Sequence, residues 1–158
     1  MKTKITKNTK IEIVEGGDYV FELIEPGVNL EVAMALEATG KEILEIEILI
    51  HHQKPNTTAN TVLKAVGSDQ SQIIIKAKIL IDKNCPNTES FLTEKVLLVS
   101  KDAKAIAIPD LEILSDDVKC SHAANVSKIP ENQIFYLMSR GVSRKKAQEM
   151  IVEGFLGK

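Results

Sequence analysis

Gln72-Ile73-Ile74-Ile75-Lys76-Ala77-Lys78-Ile79-Leu80-Ile81 puts Ile73, Ile75, Ala77, Ile79 and Ile81 on one parity, with Lys76, Lys78 and the following Asp82 opposite. Side chains two apart share a face of a strand, so the run reads as β structure with one dry and one wet side. Thirty residues upstream, Glu42 to Ile50 repeats the pattern, with Ile43, Ile46, Ile48 and Ile50 apolar against Glu45 and Glu47. Further short β runs lie at Lys10 to Val14, Tyr19 to Ile24, Leu30 to Leu36, Thr61 to Val66 and Phe91 to Val99. Turn chemistry separates them: Glu15-Gly16-Gly17-Asp18, Pro26-Gly27, Thr39-Gly40, Gly67-Ser68-Asp69 and Asn84 to Asn87. Many short strands at near-regular spacing demand a sandwich, a barrel or a solenoid. No repeat of fixed length emerges from the letters, so periodicity leaves the three open.

Composition narrows the function classes. In 158 residues, 44% are hydrophobic but only 4% aromatic, with no Trp, so the core is aliphatic and suits a thin solenoid better than a large ligand pocket. A net charge of −2 gives no case for a nucleic-acid or membrane partner. Two cysteines, Cys85 and Cys120, are too few for a disulfide framework. No apolar run resembles a signal peptide or reaches the ~20 residues of a membrane span, and the expectation is a reduced, cytoplasmic protein.

After Ser127 the apolar period changes from two to about 3.6. Ile134, Leu137 and Met138, flanked by Phe135, predict a first helix, with Pro130 at its start and Gly141 just past its end. Ser143 caps a second, whose predicted buried stripe is Ala147, Met150, Ile151 and Phe155. Arg144, Lys145 and Lys146 crowd its first turn, where the backbone dipole disfavours cations, so local stability does not account for them. Residues 1–118 carry 13 basic and 19 acidic side chains; residues 119–158 carry 7 and 3. The expected division is a β core over 1–118 and a terminal strand plus helical docking segment over 119–158, whose basic tail invites a partner.

Asp117 to His122, if extended, sends Cys120 and His122 to one face. Thiolate and imidazole together suit iron or an iron–sulfur cluster, although two ligands are not four and a second subunit would have to supply the rest. The competing reading is a buried cysteine packed as a small hydrophobe beside a hydrogen-bonded histidine. Cys85, before Pro86, reads as structural. His51 and His52 point to opposite faces and cannot share a metal, and His52 belongs to a turn network with Pro55 and Thr57. Asp110, Glu112, Asp116 and Asp117 read as solvated strand ends; Asp116 and Asp117 alternatively support a nearby metal.

Pro109-Asp110-Leu111-Glu112-Ile113, Asp116 to His122, Phe135-Tyr136 to Arg140-Gly141 and the closing apolar helix resemble, in order, the carboxy-terminal end of the Suf scaffold family, the SufB and SufD subunits of an iron–sulfur cluster assembly machine. Weaker matches at His52, Pro55, Asn56, Thr57, Asn60, Lys64, Val66 and Leu97-Leu98-Val99-Ser100 extend it over roughly the last two thirds of the chain. The resemblance implies a mainly β fold: a short right-handed parallel β-helix (β solenoid) followed by two C-terminal α-helices. It implies a non-catalytic scaffold or accessory subunit, not an enzyme. Such a subunit pairs through its β core with a SufB-like subunit or a second copy, and docks a SufC-like ABC ATPase through Phe135, Tyr136, Arg140, Arg144, Lys145 and Lys146.

The implied cofactor is a transient iron–sulfur cluster at a subunit interface, or none, with Cys120 and His122 as cluster and metal ligands. Ala103 stands where SufB-like members carry a cysteine, and Ala123 where they carry an acidic residue, so the chain resembles SufD at the site. The family's acidic first turn of the last helix is basic here. Two alternatives remain: a degenerate structural homologue that dimerises without cluster chemistry, since the amino-terminal helical domain and much of the long β-helix are missing, and a helix-turn-helix DNA-binding protein built on residues 131–156.

Overall fold

The structure, a computed structural model, describes residues 1–157. Ten strands precede two helices: β1 Lys2–Ile5, β2 Thr9–Ile13, β3 Gly17–Leu23, β4 Asn29–Ala38, β5 Ile43–His52, β6 Thr58–Gly67, β7 Gln72–Ile81, β8 Thr88–Leu98, β9 Lys104–Ile113, β10 Val118–Lys128, α1 Glu131–Ser139 and α2 Arg144–Leu156. Odd strands form one sheet, in the order β1-β3-β5-β7-β9, and even strands the other, β10-β8-β6-β4-β2. Every pairing is parallel. A chain that alternates between two parallel sheets winds into a solenoid of about four stacked coils.

The coil carries a repeat that the letters hid. Ile46 lies beside Ile75, and Leu92 beside His122, so one turn takes about 30 residues. Its punctuation is conformational rather than literal. Gly27, Asn56, Asn87 and Asp117 all sit at positive φ at one corner, where the Asn56 N–H donates to the Pro86 carbonyl at 3.0 Å and the Asn87 N–H to that of Asp117 at 2.8 Å. Gly, Asn and Asp are the residues that tolerate this region, so three residue types mark a single structural position. At the opposite corner, the Gly40 N–H donates to Asp69 Oδ2 at 3.0 Å, and the Asp69 N–H to Ser100 Oγ at 2.8 Å.

Inward residues stack from coil to coil. Ile46, Ile75 and Ala107 occupy one register position, and Ile50, Ile79 and Leu111 another. Gly67 stands in a tight place at the end of β6: an added Cβ would lie 3.2 Å from Ile73, Ser71 and Leu98 side-chain atoms, which would have to give way. In the last coil the packing thins. Leu111 and Ile113 of β9 share the register of buried Ile79 and Ile81 yet are exposed, because β9 ends its sheet, while Ile106 and Ile108 are exposed on its outer face.

The tail is helical as expected, with two differences in its buried stripes. Gly141 closes α1 at φ 85, and Ser143 Oγ accepts from the Lys146 N–H at 3.3 Å at the start of α2. In α1, Ile134 is buried while Met138 is exposed. In α2, Leu156 is buried and Ile151, Val152 and Phe155 pack with it against Val66 and Leu97 on the outer face of the even sheet; Met150 is exposed instead. The apolar outer positions at Ala35, Val66, Leu97 and Val99 decide which side of the helix goes down. Among the described residues no helix is long and apolar enough to cross a membrane.

Candidate functional site

β10 lies along β8 with Cys120 beside Ser90, His122 beside Leu92 and Ala124 beside Glu94. On β8, Thr88, Ser90, Leu92, Glu94 and Val96 point inward, and the matching parity of β10 is Val118, Cys120 and His122. Cys120 and His122 therefore do share a face, and it is the inner one. Val118 and Cys120 pack against the solenoid core, while the His122 side chain keeps only 4% of its surface in contact with solvent.

Opposite His122 stands a residue that the sequence reading passed over. Glu94 is fully buried, with Oε2 3.5 Å from His122 Nε2. Neither Glu94 oxygen and neither His122 nitrogen has a hydrogen-bond partner. Burial raises the Glu94 carboxyl to about 7 and lowers the His122 imidazole, both shifts favouring neutral forms, so desolvation works against an ion pair here. Phase counting from Ser90 would have found Glu94, since every second residue of β8 faces in.

Burial also pushes the half-buried Cys120 thiol up, away from thiolate. A metal or cluster would have to displace its proton. Cys120 and His122 on the last coil and Glu94 on the coil before it present sulfur, nitrogen and oxygen to the solenoid interior, and the polar atoms of Glu94 and His122 have no hydrogen-bond partner. Among the described residues, no group of three or more His, Cys, Asp or Glu converges closely enough to hold a metal ion. Ala103 is buried in the core.

The remaining candidates fall elsewhere. His52 is fully buried, its Nδ1 2.8 Å from Thr57 Oγ1 and its Nε2 3.0 Å from Ser90 Oγ, and burial lowers it to about 4. His51, on the other face, meets Asp82 at 2.9 Å. Cys85 is buried, with Sγ 3.9 Å from the His52 carbonyl. Asp110 and Glu112 share Lys78 at 3.2 and 2.6 Å on the outer surface, and Asp116 and Asp117 are exposed in the turn before β10.

Phe135, Tyr136, Met138 and Met150 are exposed on the helices, and the Arg140 guanidinium lies 5.5 Å from the Tyr136 ring centre. Two of the basic residues have partners that their own helix start did not reveal. Arg144 pairs with Glu131 of α1 at 2.6 Å, and Lys146 with Glu149 at 3.3 Å. Local pairing thus accounts for part of the cationic turn.

A family model for the SUF system FeS cluster assembly SufBD core domain matches residues 12–155. The iron–sulfur cluster assembly protein SufD of Escherichia coli K12 is 35% identical over 114 residues, which cover 72% of this chain and 27% of that protein. SufBD family proteins of Staphylococcus saprophyticus and of Staphylococcus aureus USA300 are each 33% identical over 131 residues, covering 82% of this chain and 27% of theirs. The chain spans about a quarter of the length of these relatives.

Proposed function

The chain belongs to the SufBD core family, and on that premise we propose that it is a non-catalytic accessory subunit of iron–sulfur cluster assembly that presents Cys120 and His122 to a nascent cluster at the open end of its solenoid. The observation that carries this is the pairing of β10 with β8, which turns both side chains inward on the last coil and leaves the His122 nitrogens without hydrogen bonds. The cluster is cargo. Thiolate and imidazole are suitable ligands to its iron, and the others come from a neighbour.

The end of the solenoid supports pairing. β9 and β10 each present an outer edge of backbone N–H and C=O groups, bordered by Ile106, Ile108, Leu111, Ile113 and Val126. A SufB-like subunit or a second copy adding strands there would close those edges and bring its ligands to Cys120 and His122. With Ala103 in place of a thiolate, a SufB-like partner completes the site better than a second copy does. Phe135 and Tyr136, with Arg140, Arg144, Lys145 and Lys146 around them, form the proposed docking face for a cytoplasmic SufC-like ABC ATPase.

Anaerobic reconstitution with iron and sulfide, with a SufB-like partner present, tests the reading. Visible absorbance that falls in Cys120→Ala and His122→Ala supports it; absorbance indifferent to both substitutions refutes it. A second reading, a homologue that pairs without holding a cluster, is favoured by one observation: the absence of a converged three-ligand group among the described residues. The same experiment separates the two.

A further inference from the structure

We propose that the solenoid corner joining β4 to β5, β6 to β7 and β8 to β9 is a docking trough for an acidic peptide segment of a partner protein, gripped by Lys41, Lys101 and Lys104 and anchored by one aliphatic side chain on Ile43. The three lysines, Ile43, Gln70 and Gln72 line one depression of about 610 Å³. It continues over Gly40, Asp69 and Ser100 into a second of about 500 Å³, so the surface is hollowed across successive coils rather than at one point.

The charge of this trough is unspent. On the sheet faces, lysines meet carboxylates of adjacent strands: Lys10 with Glu31 at 2.7 Å, Lys76 with Glu45 at 3.1 Å, Lys78 with Glu112 at 2.6 Å and Lys119 with Glu89 at 2.7 Å. Among the described residues, Lys41, Lys101 and Lys104 have no carboxylate within ion-pair distance. The corner's own carboxylates are engaged by its turns: Glu42 Oε2 accepts the Thr39 N–H at 2.7 Å, and Asp69 Oδ2 the Gly40 N–H at 3.0 Å. Of the described residues lining the first depression, Asp102 alone is acidic, against three lysines. The trough is therefore cationic on a β body that is acidic as a whole.

An exposed isoleucine or an unpaired lysine signifies little singly. Here Ile43, 63% exposed, shares its register row with Gln72 and Lys104, which lines up an apolar side chain, an amide and an ammonium. Carboxylates of a peptide match the lysines, its backbone N–H and C=O groups match the Gln70 and Gln72 amides, and an aliphatic side chain covers Ile43. A polyphosphate or nucleic-acid strand would use the lysines and leave Ile43 bare. Lys41 and Lys101 stand two coils apart, about 10 Å at the spacing of neighbouring strands, which suits an extended chain with several carboxylates better than one small anion. The corner is also preorganised. The bonds from Gly40 to Asp69 and from Asp69 to Ser100, with the Gln70 N–H on the Gly40 carbonyl at 2.8 Å, tie its three turns together and leave little ordering for binding to impose.

The test is fluorescence anisotropy on the full chain with a fluorescein-labelled peptide in which glutamates flank a single leucine. Saturable binding that weakens as salt is raised is expected, reduced roughly tenfold in the double variant Lys41→Glu with Lys101→Glu. Lys54→Glu with Lys83→Glu makes the same change of net charge at the opposite corner and should bind as wild type does. All four lysines are exposed, so both double variants keep the fold. Ile43→Ser, or a peptide with serine in place of leucine, should also bind more weakly than the parent pair.

Equal losses in the two double variants would reduce the trough to diffuse charge and overturn the proposal, as would no detectable binding at low salt. Indifference to both the leucine and Ile43, or displacement of the peptide by a labelled oligothymidylate that binds more tightly, would make this a bare polyanion surface and overturn it likewise.

Discussion

His52 Nε2 lies 3.0 Å from Ser90 Oγ, a hydrogen bond that crosses the solenoid interior from the odd sheet to the even one. With Thr57 on Nδ1 at 2.8 Å, the ring is satisfied as a neutral imidazole, and burial lowers it to about 4 from 6.5. Ser90 is the register neighbour of Cys120, so this crosslink braces the strand on which the candidate site rests.

The first prediction follows from that shift. A histidine depressed in the folded state contributes stability that is complete above pH 6.5 and drains away as pH falls toward 4. A displacement of this size corresponds to roughly 3 kcal/mol at the acid end. His52→Asn, which cannot titrate, should cost stability at pH 7.5 through its lost hydrogen bond but close the gap with wild type by pH 4.5. Urea midpoints at the two pH values check it, and a gap independent of pH would sink the assignment.

Glu94 carries the opposite slope. Its carboxyl, raised by burial from 4.5 to about 7, contributes stability that is complete below pH 4.5 and lost as pH rises through 7. Glu94→Gln should gain on wild type by up to roughly 3 kcal/mol on going from pH 4.5 to 8 in metal-free buffer. The two groups oppose one another between pH 4.5 and 6.5, so wild type should vary little there, while Glu94→Gln falls off steeply on the acid side. Parallel stability curves for the variant and wild type would be the contrary result.

Much of the fold could be read in advance, and the gaps have physical causes. Ile73 to Ile81 and Ile46 to Ile50 showed strands because both sheet faces differ sharply in polarity there. The strands left out of the reading were β1 and β9, short or terminal, and β9 carries Pro109 and exposed isoleucines where an interior strand would alternate. The coil repeat escaped because its fixed element is a positive φ, filled by Gly27, Asn56, Asn87 and Asp117 in turn. At the site, period two placed Cys120 and His122 on one face. Glu94 went unread because a carboxylate inside an apolar run is taken as solvated unless the strand phase is counted. The partner of Arg144 is Glu131, 13 residues earlier, a contact made only by the turn between the helices.

Leu156 is the third point of test. It is the deepest α2 side chain on the outer face of the even sheet, against Val66 and Leu97. Leu156→Ala should cost the docked helix roughly 2–3 kcal/mol, while the coils beneath keep their ladders. Limited proteolysis should then cut near α1 and α2 at protease concentrations that spare wild type, with the β-rich circular dichroism signal unchanged. Concerted loss of both signals would show that the helices and solenoid unfold as one unit.

Phe135 separates docking from folding. At 74% exposed it contributes little to the fold, yet it sits beside Tyr136, Met138 and the stacked Arg140, and an exposed aromatic cluster rimmed by cations is what a partner surface looks like. Phe135→Asp should leave the melting temperature within error of wild type and reduce co-purification with a SufC-like ATPase at least tenfold, while Lys145→Ala should act chiefly through the salt dependence of association. Undiminished ATPase capture by Phe135→Asp would move the docking face off the helices and leave α1 as a cover for the solenoid alone.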